Sequence, residues 1–218
     1  MRILPFILLL TAGPALALQQ PQREVARIVS PLWADEASRD AAGEAANVIR
    51  LLGLGPGQTV ADIGAGSGYY TMRVSPVVGP RGRVIAQDVT PRYLDDLKRR
   101  VRKAGLTNVN FVLGTHGDPR LKPASVDVAL LIHMYHEIAQ PYALLGKLRT
   151  SLKPGGRIAI VDLDRPSEQH GMLKETLVCE VRSVGFDLVS MTELKPGYLA
   201  IFKPGAPVDP QTVKACRA

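Results

Sequence analysis

Apolar positions recur along the chain in two alternating rhythms. Short, nearly continuous apolar runs at 60–63, 83–87, 109–113, 126–132, 157–161, 186–191 and 198–202 predict strands. Between them the apolar residues move to helical spacing over 37–52, 69–78, 91–104, 140–152 and 168–184. Within the first of these segments Ala41, Ala45, Val48, Ile49 and Leu52 share one face, and in the fourth Leu144, Leu145 and Leu148 do. Gly53, Gly79-Pro80 and Gly105 end the first three helices, and Lys153-Pro154-Gly155-Gly156 predicts a turn. Strand and helix alternate, which predicts an α/β domain built on a parallel sheet. The run 126–132 is almost wholly apolar, so it belongs at the centre of that sheet, covered on both faces.

The two ends depart from this rhythm. Arg2, the apolar run 3–10, Gly13-Pro14 and the small-residue pattern Ala15-Leu16-Ala17 read as a secretory signal, residues 1–17. The run is short and broken by Pro5, so an uncleaved membrane anchor is the alternative reading. Export, in a bacterium to the periplasm, is the expectation. Residues 18–36 are polar with Pro21 and Pro31 and predict a loosely held arm whose Trp33 packs on the core or covers the site. The domain itself is expected over 37–204, followed by a tail over 205–218 that is loose unless Cys216 ties it down.

Composition narrows the functional classes. With 46% hydrophobic residues in 218, the chain can bury one sizeable core. The formal charge of +7 falls to +6 once Arg2 is removed, which permits contact with an anionic membrane surface. There is no dense basic block or aromatic-interleaved basic patch, so no specific nucleic-acid partner is expected. Cys179 and Cys216 are too few for a disulfide scaffold and carry no zinc spacing, so no metal site is predicted. In an oxidising compartment they could pair; otherwise Cys179 is buried and Cys216 is a free tail thiol.

The chemistry concentrates where strand 60–63 meets helix 69–78. Asp62 is followed by Gly64-Ala65-Gly66-Ser67-Gly68, a strand–turn–helix cradle whose glycines permit positive φ and whose amides face a bound ligand. The spacing G-x-G-x-G differs from the dinucleotide fingerprint G-x-G-x-x-G, and the acid two residues earlier suits an ammonium group and would repel a pyrophosphate. Asp88 ends the second strand 20 residues after Gly68, where its carboxylate can accept ribose hydroxyls. The fourth strand delivers His133-Met134-Tyr135-His136-Glu137 to the same rim, and a histidine beside an acid can move a proton near neutral pH.

The pattern Asp62-x-Gly64-x-Gly66-x-Gly68, Asp88, the histidine-bearing strand end and Leu152-Lys153-Pro154-Gly155-Gly156-Arg157, in this order, resembles the class I S-adenosylmethionine-dependent methyltransferases. The resemblance covers about residues 51–163 and implies a three-layer, Rossmann-like fold with a seven-stranded, mostly parallel sheet and an antiparallel last strand. It implies S-adenosyl-L-methionine as cofactor, its methionine end on Asp62, Gly64, Ala65, Gly66 and Gly68, and its ribose on Asp88 with Val89 alongside. The family's usual Gly-Asp after the third strand is replaced by Gly114-Thr115, so Thr115, His116 or Asp118 would meet the adenine. His133 would contact the cofactor; His136, with Glu137 or Tyr135, would assist the reaction. The short connection 163–169 leaves no room for a large cap and suggests a small-molecule acceptor. Because the cofactor is made inside cells, export raises two alternatives: a non-catalytic protein using the cradle for another nucleoside or small ligand, and an envelope interaction domain. The sequence leaves the acceptor and the oligomeric state open.

Overall fold

The computed structural model describes residues 20–29, 36–209 and 212–216. The expected signal over 1–17 and Trp33 lie outside them. The elements are α1 Glu36–Ala41, α2 Glu44–Leu51, β1 Thr59–Ile63, α3 Tyr69–Val78, β2 Arg83–Asp88, α4 Pro91–Lys103, β3 Val109–Leu113, β4 Val126–Ile132, α5 Pro141–Ser151, β5 Leu152–Asp162, α6 Lys174–Ser183, β6 Phe186–Glu193 and β7 Tyr198–Pro204. The seven strands form one sheet in the order β3-β2-β1-β4-β5-β7-β6. All neighbours are parallel except those of β7, which is inserted antiparallel between β5 and β6. The expected architecture is therefore the observed one.

Alternation along the strands divides the core between two faces. Val60, Val128, Leu130, Ala159, Val161, Leu199 and Ile201 pack with α2 and α3, whereas Ala61, Ile63, Ala129, Leu131, Ile158, Ile160 and Phe202 pack with α5 and α6. A smaller cluster joins Ala86 to Leu97 and Val101 of α4. β4 is the anchor: Val126, Val128, Leu130 and Leu131 are completely buried, each worth about 1.5–3 kcal/mol of transfer free energy. The chain leaves β1 toward β2 and β3, then returns to place β4 on the other side of β1. That reversal opens a crevice at the carboxyl ends of β1 and β4, where ligands of open α/β sheets bind. Among the described residues no helix is long and apolar enough to cross a membrane.

Several boundaries differ from the sequence reading. The helix expected over 37–52 is two helices, broken at Gly43, whose φ of 67° no helix accommodates. The helix expected over 168–184 starts only at Lys174. Ser167–Gln169 is an isolated 3₁₀ turn ended by His170 in the left-handed region, φ 55°. The expected turn at 153–156 lies inside β5. The pairing with β4 steps from Val126 with Leu152 to Val128 with Arg157, so β5 accommodates extra residues as a bulge.

Residues 20–29 are docked, contrary to the loose arm expected, and in the tail the alternative holds in which Cys216 ties it down. Buried Arg23 pairs with Glu180 of α6 (Nε to Oε1, 3.1 Å) and donates to the carbonyls of Tyr135 and His136. The Ala26 amide also donates to the His136 carbonyl (3.1 Å), and Ser167 Oγ donates to the Glu24 carbonyl (2.7 Å). At the other end a Cys179–Cys216 disulfide fastens the tail to α6. Val213 is buried there, and the Cys216 amide donates to Tyr142 Oη (2.9 Å).

Candidate functional site

The loop after β1 turns on three left-handed glycines, Gly64 (φ 67°), Gly66 (φ 53°) and Gly68 (φ 85°). They do different work. A Cβ at Gly64 would meet Met134 at 2.9 Å, so this glycine lets the loop pass close to the turn after β4. A Cβ at Gly68 would overlap Leu97 of α4, and Gly68 does not line the crevice; its bareness serves the packing of α4 at the N-terminus of α3. Gly64, Ala65 and Gly66 form the floor of the crevice.

The two strand-end acids flank this floor. Asp88 is already engaged through both oxygens, accepting the Gly66 amide on Oδ2 and the Thr90 amide on Oδ1, each at 2.8 Å. It therefore shapes the loop as well as facing the cavity, which Val89 and Tyr93 also line. Asp62 lies one strand away, 4% exposed, and accepts the Thr71 hydroxyl at 2.6 Å. Burial pushes its pKa up to about 6, against the hydrogen bonds from Thr71, and the Asp88 charge adds to the rise. A cation placed in the crevice would relieve exactly this cost of ionisation.

Beyond Asp88, Thr115 and His116 line the same cavity, and Asp118 does not. Asp118 instead bridges back to Thr115 and accepts the Arg120 amide (2.7 Å). On the opposite wall the sequence reading missed a polar cluster. Glu44 of α2 accepts Arg39 (Oε1, 2.6 Å) and the Tyr70 hydroxyl (3.0 Å) and lies 3.5 Å from His133 Nε2. Burial opposes its charge, but the hydrogen bonds from His133 and Arg39 prevail and lower its pKa to about 2. Arg39, stacked 3.7 Å over the Tyr69 ring, lines the cavity. Part of the signal was legible, since Glu44 lies one turn before buried Val48 on α2.

The turn after β4 sends its residues in three directions. His133, with φ 52°, lines the cavity, as does Glu137, whose Oε1 accepts the Val29 amide of the arm at 3.2 Å. Burial raises the Glu137 pKa. Tyr135 turns away into the core and donates its hydroxyl to Glu180 (2.9 Å), so the structure does not place it at the cavity. His136 is also absent from the main cavity. Its Nδ1 lies 2.9 and 3.0 Å from the two oxygens of fully buried Asp162, at the end of β5. A carboxylate can only accept, which assigns the proton to Nδ1 and leaves a lone pair on Nε2 in the neutral ring. Nε2 faces an adjoining cavity lined by Val29, His133, His136, Arg165 and His170. Asp162 directly follows the strand expected over 157–161, but its contact with His136 needs β4 and β5 side by side.

Comparison with known proteins identifies the family. Residues 54–195 match a family model described as a methyltransferase domain. An arsenite methyltransferase of Halobacterium salinarum is 33% identical over 110 residues, 50% of this chain and 28% of that protein. A ubiquinone/menaquinone biosynthesis C-methyltransferase of Vibrio vulnificus is 28% identical over 115 residues, 52% of this chain and 44% of that protein. The chain thus spans less than half the length of these two curated relatives. The crystal structure of a SAM-dependent methyltransferase from Aquifex aeolicus superposes with a TM-score of 0.71 at 25% identity, covering 76% of this chain and 92% of that one.

Proposed function

Because the chain belongs to the S-adenosylmethionine-dependent methyltransferase-domain family, we propose that it transfers a methyl group to a small-molecule acceptor admitted through the cavity beside His136. The observation that carries this is the pairing of Asp62 and Asp88 at adjacent strand ends, astride a glycine floor, with the His136 cavity adjoining it through Val29 and His133. The non-catalytic alternative is not favoured, since family and cofactor fit agree.

S-Adenosyl-L-methionine supplies an electrophilic methyl group on a sulfonium. The residues present fit it. Asp62, whose ionisation is costly alone, gains from an ammonium or sulfonium charge nearby. Asp88 keeps lone pairs for ribose hydroxyls while holding the Gly66 and Thr90 amides. Thr115 and His116 take the adenine end, and Arg39 and His133, both held by Glu44, line the site as well. Holding acceptor and methyl in line supplies most of the acceleration such a reaction needs. Glu137 and His136, oriented by Val29 and Asp162, stand where an acceptor would lose its proton.

The compartment belongs to the same reading. The Cys179–Cys216 disulfide supports an oxidising location, as the signal-like residues 1–17 do. Calorimetric titration of residues 18–218 with S-adenosylmethionine and S-adenosylhomocysteine tests the site. Micromolar binding is expected, and Asp88→Ala should weaken it by about ten- to a hundredfold through loss of a hydrogen-bonded carboxylate. A folded protein that binds neither compound would overturn the reading.

A further inference from the structure

Where the cofactor crevice meets the adjoining cavity, three chemically apt side chains converge with unspent donor capacity. His136 Nε2 and His170 Nδ1 are each shielded from solvent and have no hydrogen-bond partner. Glu137 Oε1 lies 4.0 Å from both. The three atoms lie within 4.8 Å of one another, and the two imidazoles meet edge to face at 5.6 Å between centroids. The His136 side chain is 3% exposed, so its bare Nε2 is a buried polar atom that ought to have a partner.

From this convergence we propose that His136 Nε2, Glu137 Oε1 and His170 Nδ1 form a two-histidine, one-carboxylate site for a zinc-like divalent transition-metal ion. The donor chemistry selects the ion: imidazole and carboxylate together suit zinc, whereas magnesium and calcium prefer all-oxygen shells. The site has the outer support a metal centre needs. Asp162 holds the far nitrogen of His136, the carboxylate–histidine arrangement that fixes the ring and strengthens it as a ligand. Bonds of about 2.0–2.1 Å put tetrahedral donors roughly 3.4 Å apart, so binding must draw the three together. His170 can supply that movement, since it ends a 3₁₀ turn and its side chain is 39% exposed. Three protein ligands leave a coordination position open. It would face the cavity proposed for the acceptor, so an acceptor hydroxyl or thiol could bind there and release its proton to water more easily, the ion then replacing the proton acceptor that His136 and Glu137 provide without it. That last consequence rests on the methyl-transfer reading; the metal site itself does not.

The test uses chelator-treated protein with its disulfide intact, titrated with Zn²⁺ by calorimetry in the absence of cofactor. One equivalent should bind at micromolar or tighter affinity, with protein-bound zinc confirmed by elemental analysis after gel filtration. His170→Ala and Glu137→Gln should each weaken binding at least about a hundredfold, and Asp162→Asn by about ten- to a hundredfold. His116→Ala, outside the cluster, should leave it unchanged. Should His136→Ala fail to fold, the partly exposed His170 still decides the matter. Absence of stoichiometric binding, or binding indifferent to His170→Ala, would overturn the site, whatever the S-adenosylmethionine titration shows.

Discussion

Arg23→Ala should be among the most disruptive changes outside the crevice, and its effect should depend on pH in a defined sense. Arg23 pairs with Glu180, a completely buried carboxylate that also accepts the Tyr135 hydroxyl. Burial already raises the Glu180 pKa above 4.5, and Arg23 is the charge that restrains the rise. Without it Glu180 must bury a bare charge or take up a proton. Protonation from the ordinary 4.5 at pH 7 bounds that part of the loss at about 3.4 kcal/mol, at 1.36 kcal/mol per unit. The lost hydrogen bonds to the Tyr135 and His136 carbonyls add about 1 kcal/mol each. The total, about 3–5 kcal/mol, is what breaking a buried pair costs. The sign follows from linkage: in the variant the folded state retains a proton on Glu180 that the unfolded chain releases above 4.5. Wild-type Glu180 also sits above 4.5, so the variant's stability relative to wild type falls as pH rises from the wild-type Glu180 pKa toward neutrality, by at most about 1.4 kcal/mol per unit. Urea unfolding at pH 5, 6, 7 and 8 measures this directly. Arg23→Ala combined with Glu180→Gln should remove the pH-dependent part. A loss that is below 1 kcal/mol at pH 7, or the same at every pH, would refute the reasoning.

Asp62 predicts a second pH dependence. Its folded pKa of about 6 exceeds the ordinary 3.8, so its contribution to apoprotein stability declines as pH rises between these values and is constant above. A cationic cofactor selects the ionised form, so S-adenosylmethionine affinity should climb by up to about tenfold per unit below pH 6 and level off near 7; calorimetry should show Asp62→Asn abolishing the climb. Gly68→Ala should lose about 2–4 kcal/mol, from left-handed backbone strain and overlap with Leu97, yet bind cofactor within about twofold of wild type well below its melting temperature. A large affinity loss there would place Gly68 in the binding surface after all. Reducing the Cys179–Cys216 bond, whose ends are 37 positions apart in sequence, should cost about 3–4 kcal/mol in denaturant unfolding and expose the tail to proteolysis. Unchanged stability would mean that docking of Val213 and Cys216 holds the tail unaided.

The residues that carry local information were readable in the chain. Alternating rhythms located all seven strands, and 69–78, 109–113 and 126–132 match the observed elements at both ends. Asp62, Gly64 and Gly66 could be assigned to one cradle because a strand, five small residues and a helix start are written consecutively. Asp88 followed because parallel strands joined by a helix put their carboxyl ends side by side. Where the reading failed, the deciding partner was distant in sequence. Gly68 looks like its neighbours until Leu97 is packed against it, and Tyr135 looks as reactive as His136 until Glu180 claims its hydroxyl. The polar arm seemed loose because nothing within it shows that Arg23 meets a buried acid 157 positions away. Asp162 and His170 gained their relation to His136 only when β4 and β5 were laid together and the turn after β5 folded back. Spacing and periodicity therefore determined the sheet, the glycine floor and the flanking acids, all of which depend on near neighbours. Which side chains face the cavities, which are spent on packing and which buried donors are left without partners depended on contacts between distant segments, and those only the tertiary structure decided.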